Sequence, residues 1–152
     1  MRESELLLLQ ELEREHAAFV DQLERLHQLV GSLEPTSPRG EGLGSLAALV
    51  AALAPAVRRH ADAEETRLYP WMEADGPAPF DPKLLATLRS EHRTIDALLS
   101  ELCDRWTEVE SGEVGAGPAL AKAAQSLRGT LSAHLQRENL LVFPRLRRIW
   151  KG

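Results

Sequence analysis

Two short stretches of the chain carry residue types that bind metal ions, and they carry them in the same order. HADAEETRLYP, from His60 to Pro70, and HLQRENLLVFP, from His134 to Pro144, each open on His and place Glu four residues on. Each closes on an aromatic residue followed by Pro. On a helix, positions i and i+4 stack on one face, so each stretch presents an imidazole and a carboxylate to the same neighbour. Two further histidines, His16 and His92, stand in REHAAFVDQL and SEHRTIDALL, each directly after a Glu.

The elements that must position these groups are marked by Pro and Gly. EPTSPRGEGLG (Glu34–Gly44), DGPAPF (Asp75–Phe80) and SGEVGAG (Ser111–Gly117) separate four long stretches of helical periodicity, and no stretch alternates in the manner of a strand. Ser45 is expected to cap the second helix. Asp81-Pro82 and Gly117-Pro118 are expected to put Pro at the first helical position of the third and fourth. Pro55 lies within the second helix and should kink or divide it. The expected fold is all-α, an antiparallel up-down-up-down four-helix bundle with a metal site in the core.

Each helix has an inward seam spaced alternately three and four. The first runs Leu9, Leu12, His16, Phe19, Leu23, Leu26, and the second Val50, Leu53, Val57, His60, Glu64, Leu68, Trp71. The third runs Leu85, Leu88, His92, Ile95, Leu99, Leu102, Trp106, and the fourth Leu127, Leu131, His134, Glu138, Leu141. Every seam has a His where a bundle would otherwise place Leu. Measured from the turns at 1.5 Å per residue, the four histidines fall within roughly 5 Å of one level in antiparallel packing.

A single buried His is more often a hydrogen-bonded core residue than a ligand. Six ionisable groups at one depth are another matter, since burying them uncompensated would cost several kcal/mol per charge. A metal removes that cost, and two carboxylates can bridge two cations. Four imidazoles and two carboxylates suit iron among the first-row metals.

Composition limits the alternatives. The 152 residues suit one domain, and 43% hydrophobic with 27% charged residues is an ordinary globular balance. A net charge of −5 argues against nucleic acid as the main partner, which needs a concentrated basic surface. The one basic cluster, PRLRRIWK from Pro144 to Lys151, reads as a solvated helix end suited to the helix dipole. The lone Cys103 rules out an intrachain disulfide and a Cys-rich metal site. With an N-terminus that fits neither a signal peptide nor a membrane span, the expected compartment is the cytoplasm, with no membrane partner.

The ordered set His16, then HADAE, then His92, then HLQRE, with the paired EH on the odd helices and the YP and FP after the carboxylates, resembles the hemerythrin-like or HHE cation-binding domains. The resemblance covers nearly the whole chain, 1–152, as one domain. Since 76 residues separate His16 from His92 and 74 separate His60 from His134, the chain looks like a duplicated helix pair, about 1–74 and 81–152. The resemblance implies two iron ions per chain, oxo- or hydroxo-bridged. His16 and His60 would bind one, His92 and His134 the other, and Glu64 and Glu138 would bridge them. The family's oxygen carriers have HxxxH on the third helix, whereas this chain has His92-Arg93-Thr94-Ile95-Asp96. The second iron then has an open position or takes Asp96, against the plainer reading of Asp96 as a surface or outer residue.

His27 reads as structural or partly exposed, Tyr69 as a packing residue. Glu15 and Glu91 could relay protons or orient a ligand, against the default of a solvated helix face. Three functions follow: a diiron protein binding iron and a small ligand (oxygen, nitric oxide or peroxide) as sensor, carrier or store; a diiron redox enzyme consuming peroxide or nitric oxide; and a helical bundle with a zinc or adventitious site. The sequence names no redox partner.

Overall fold

The computed structural model describes residues 2–33, 42–73 and 80–152. In chain order they form α1 (Arg2–Gly31), α2 (Gly42–Ala63), a π turn (Glu64–Leu68), α3 (Tyr69–Glu73), α4 (Pro82–Glu110), α5 (Ala116–Leu141) and α6 (Phe143–Lys151). Among the described residues there is no strand. The connections expected at Glu34–Gly44 and Asp75–Phe80 lie largely outside the described residues.

Local chemistry accounts for most of the helix ends. Asp81 caps α4, its carboxylate accepting from the Lys83 amide at 2.9 Å, with Pro82 at the first position. Gly112 and Gly115 adopt φ of 73° and 75°, the left-handed conformation that lets the chain turn between α4 and α5. Two expected starts shift. α2 is already helical at Gly42, so Ser45 lies within it and is not its cap; Leu43 packs against the core, and that packing outweighs the poor helix propensity of the flanking glycines. α5 begins at Ala116 after Gly115, so Pro118 is its third residue, still within the turn whose amides lack helical acceptors. Pro55 does not divide α2, which runs unbroken to Ala63.

The break comes later. Pro70 has no amide hydrogen and its ring would press on the Thr66 carbonyl, and just before it Glu64–Leu68 form the π turn, closed by the Tyr69 amide bonding to the Glu64 carbonyl. One extra residue per turn rotates the face that follows. The expected seam therefore fails at its last member: Trp71 is exposed, while Tyr69 and Met72 are buried. Near the second HxxxE stretch the chain breaks at Val142, separating α5 from α6, and Leu141 is exposed where the seam had placed it inside. There Val142, Phe143 and Leu146 carry the core onward.

α1 and α4 each pack on both α2 and α5, and α6 packs on α1 and α5. The core falls into two parts. One joins Phe19, Leu23 and Leu26 with Leu53, Val57, Leu99, Leu102, Leu127 and Leu131. The other joins Leu9 and Leu12 with Leu68, Tyr69, Leu88, Phe143 and Leu146. Each fully buried Leu contributes about 1.5–3 kcal/mol. The helical stretch Gly42–Glu73 is long and apolar enough to cross a membrane by length and composition; within it Leu46, Val50, Leu53 and Val57 are buried.

Candidate metal centre

Between the two apolar parts lies a layer made of His16, His60, Glu64, His92, His134 and Glu138, all buried. The three-four spacing explains it: each His continues the seam of its helix, and each Glu stands one turn beyond a His on the same face. Glu64 opens the π turn and Glu138 is within the last turn of α5.

All four imidazoles turn Nε2 toward the carboxylates. His16 Nε2 is 3.0 Å from His60 Nε2 and 3.4 Å from Glu138 Oε1. His60 Nε2 is 3.3 Å from Glu64 Oε1, and His92 Nε2 is 3.0 Å from the same oxygen. His134 Nε2 lies 3.1 Å from Glu138 Oε1 and 3.8 Å from Glu64 Oε1. Two sets of four could each hold a metal ion, His16, His60, Glu64 and Glu138, and Glu64, His92, His134 and Glu138, with the donor atoms of each set within 4.8 Å of one another. The carboxylates belong to both sets.

The outward nitrogens are held too. His16 Nδ1 meets Asn139 Oδ1 at 2.8 Å, and His60 Nδ1 meets Glu15 at 2.5 Å. His92 Nδ1 meets Glu65 at 2.9 Å, and His134 Nδ1 meets Glu91 at 3.3 Å. An acceptor on Nδ1 places the proton there and leaves the Nε2 lone pair free to bind a cation. Glu15 and Glu91 thus orient His60 and His134. Glu65 and Asn139, which the sequence did not single out, do the same for His92 and His16; each directly follows one of the two inward glutamates.

The donor set fits a metal. Glu64 Oε2, Glu138 Oε1 and His134 Nε2 are buried without a hydrogen-bond partner, although His134 Nε2 and Glu138 Oε1 are only 3.1 Å apart. With the imidazoles neutral, converging buried lone pairs of this kind are what a bound cation would satisfy; without one, the groups share protons. Among themselves the groups compete for protons. Burial alone would lower the His60 imidazole, but the hydrogen bond and charge of Glu64, joined by Glu15 and Glu138, push it up to about 9. Burial likewise opposes the charge on His134, yet Glu138 and Glu64 push it up to about 10. Burial works against an ionised Glu64 as well; hydrogen bonding with Glu138, His134, His60 and His92 prevails and holds it well below the usual carboxylate range.

Tyr69 does more than the packing its sequence position implies. Fully buried, it donates its hydroxyl proton to Glu138 Oε2 at 3.0 Å and lies 3.2 Å from His92 Nε2. Burial, with the charges of Glu64 and Glu138, pushes its phenol far above the ordinary value, so it is a neutral donor. The signal that could have found it was Pro70, whose π turn carries Tyr69 into the layer. Asp96 stays outside: it is exposed, bonds to Arg58 Nε at 2.8 Å, and joins neither set. His27 is exposed, and Cys103 is free and half-buried.

Two grooves approach the layer. One of about 430 Å³ is bordered by Arg58, Glu65, His92 and Asp96, and another of about 280 Å³ by His16, Asn139, Phe143 and Arg147.

Comparison with curated proteins yields no match to the chain. The family model for the hemerythrin HHE cation-binding domain matches residues 7–148, a span that includes all six inward groups and all four partners of their outward nitrogens. The chain accordingly belongs to the hemerythrin HHE cation-binding family, and its buried His and Glu layer fits a metal site.

Proposed function

We propose that this chain is a non-haem diiron protein that binds two iron ions and a small ligand, oxygen, nitric oxide or peroxide, as a sensor, carrier or store. The observation that carries the reading is the sharing of Glu64 and Glu138 by two four-residue sets. In it His16 and His60 would hold one iron and His92 and His134 the other, with Glu64 and Glu138 shared between them. When bound, iron supplies reversible electron transfer and an affinity for small ligands. The chain's own residues do the rest. Glu15, Glu65, Glu91 and Asn139 fix the histidine tautomers, Tyr69 steadies Glu138, and Phe19 and Phe143, packed on His60 and His16 at ring separations of 5.2 and 4.8 Å, keep the layer dry. The groove beside His92 is the route for a small ligand.

The reading extends to a single domain formed by a duplicated helix pair with up-down-up-down topology. Cross-helix pairs support opposed directions for neighbours: Arg58 meets Asp96 while Glu65 meets Arg89, and Glu24 meets Arg128 while His16 meets Asn139. In each case the later residue of one helix pairs with the earlier residue of the other.

Azide and nitric oxide test the binding role. Iron-loaded protein is expected to give a ligand-dependent visible band that persists while peroxide and nitric oxide are consumed only stoichiometrically. Many turnovers per centre would replace the binding role with that of a redox enzyme, and the absence of any ligand-dependent band in loaded protein would reject both.

A further inference from the structure

The residues that hold the outward nitrogens follow the repeat. Glu15 and Glu91, each directly before an odd-helix histidine, serve His60 and His134. Glu65 and Asn139, each directly after an inward glutamate, serve His92 and His16. The first pair is alike in both copies. The second pair is not: Glu65 offers a carboxylate where Asn139 offers an amide. Both acceptors fix the tautomer, but an anionic carboxylate raises the basicity of the imidazole at Nε2 more than a neutral amide oxygen does.

A second difference marks the same pair of histidines. Tyr69 stacks on His92 at 5.3 Å and brings a hydroxyl to its Nε2, whereas its counterpart Phe143 packs on His16 at 4.8 Å with no polar atom to offer. The hydroxyl proton goes to Glu138, which both sets share, so Tyr69 does not rank the two positions; the kind of Nδ1 acceptor does.

We propose that the two cation positions are unequal, and that Asn139 is the positioning residue that makes the His16 and His60 position the weaker of the two. The proposal rests on the two-ion reading. Arginines act against it: Arg89 bonds to Glu65 and Arg137 to Glu91, which draws charge from the carboxylates on the stronger side, while Glu15 faces His60 with a short bond. Both arginines are about a third exposed, so water screens their charge. The carboxylate bears on the imidazole directly, whereas each arginine acts only through the carboxylate, so the kind of acceptor decides the order.

Anaerobic titration of metal-free protein with ferrous iron, followed by calorimetry, tests this, with cobalt(II) as a second probe read by its visible spectrum. Wild-type protein is expected to take up two ions in two steps of different affinity. Asn139→Asp is expected to strengthen the weaker step by roughly 10- to 100-fold, and Glu65→Gln to weaken the tighter step by a similar factor. Both positions are at least partly exposed, and far-ultraviolet circular dichroism checks that each variant is folded. Equal steps in the wild type, or an Asn139→Asp titration superimposable on it, would overturn the inequality and leave the two-ion reading standing. Uptake of a single ion by the wild type would overturn that reading and the inequality with it.

Discussion

Replacing Tyr69 by Phe removes one oxygen atom from the layer and nothing else. The ring keeps its place against His92 and its neighbours in the core, so no cavity opens beyond the hydroxyl itself. What is lost is the 3.0 Å bond to Glu138 Oε2 between two fully buried side chains, along with the 3.2 Å contact to His92 Nε2. A hydrogen bond to a carboxylate contributes about 1.5–3 kcal/mol, and its removal leaves a buried acceptor unsatisfied. For a chain of this length, a loss of about 2 kcal/mol lowers Tm by roughly 4–8 °C. Thermal unfolding of the metal-free wild type and variant, followed by circular dichroism in the presence of a chelator, reads the difference. An unchanged or higher Tm for Tyr69→Phe would refute the role assigned to the hydroxyl and return Tyr69 to packing.

Two further outcomes are expected. Because the folded protein raises His60 to about 9 and His134 to about 10, above the ordinary 6.5, their contribution to stability is complete below about pH 6.5 and is lost as the pH rises through those values. Glu64 is shifted down, so its contribution holds above the ordinary carboxylate range and is lost in acid; melting of metal-free protein should thus give a lower Tm at pH 10 than at pH 6, and an equal or higher Tm at pH 10 would contradict the charged histidine layer. Glu64→Ala and Glu138→Ala should each lose one or both irons while Asp96→Ala keeps both, as read by metal analysis of purified variants, and equal iron contents in all three would remove the bridging assignment.

Much of this site was legible because a histidine within a three-four seam can be placed by counting. His16, His60, His92 and His134 continue apolar stripes, and one helical turn carries the seam from His60 to Glu64 and from His134 to Glu138. Depth could be read from the turns, and the six groups do come together. What counting could not supply was any departure from a regular turn. Pro70 could mark a disturbance, but whether the helix ends, kinks or takes in an extra residue there depends on what the next turn can bury; Tyr69 and Met72 inward, with Trp71 outward, is the outcome. Leu141 failed in the same way, since Val142 breaks the helix just after it. The partners of the outward nitrogens were half visible. Glu15 and Glu91 stood out by adjacency to His16 and His92, yet each serves a histidine on a different helix, which requires knowing which helices are neighbours. Glu65 and Asn139 looked like ordinary surface positions for the same reason.

The central claim is that the layer holds a pair of iron ions. Iron and protein measured in the same sample, after anaerobic loading and removal of loosely held metal, test it most directly. Two irons per chain are expected, because Glu64 and Glu138 belong to both sets of donors. A reproducible single iron per chain, or zinc taken up in preference when iron is ample, would contradict it.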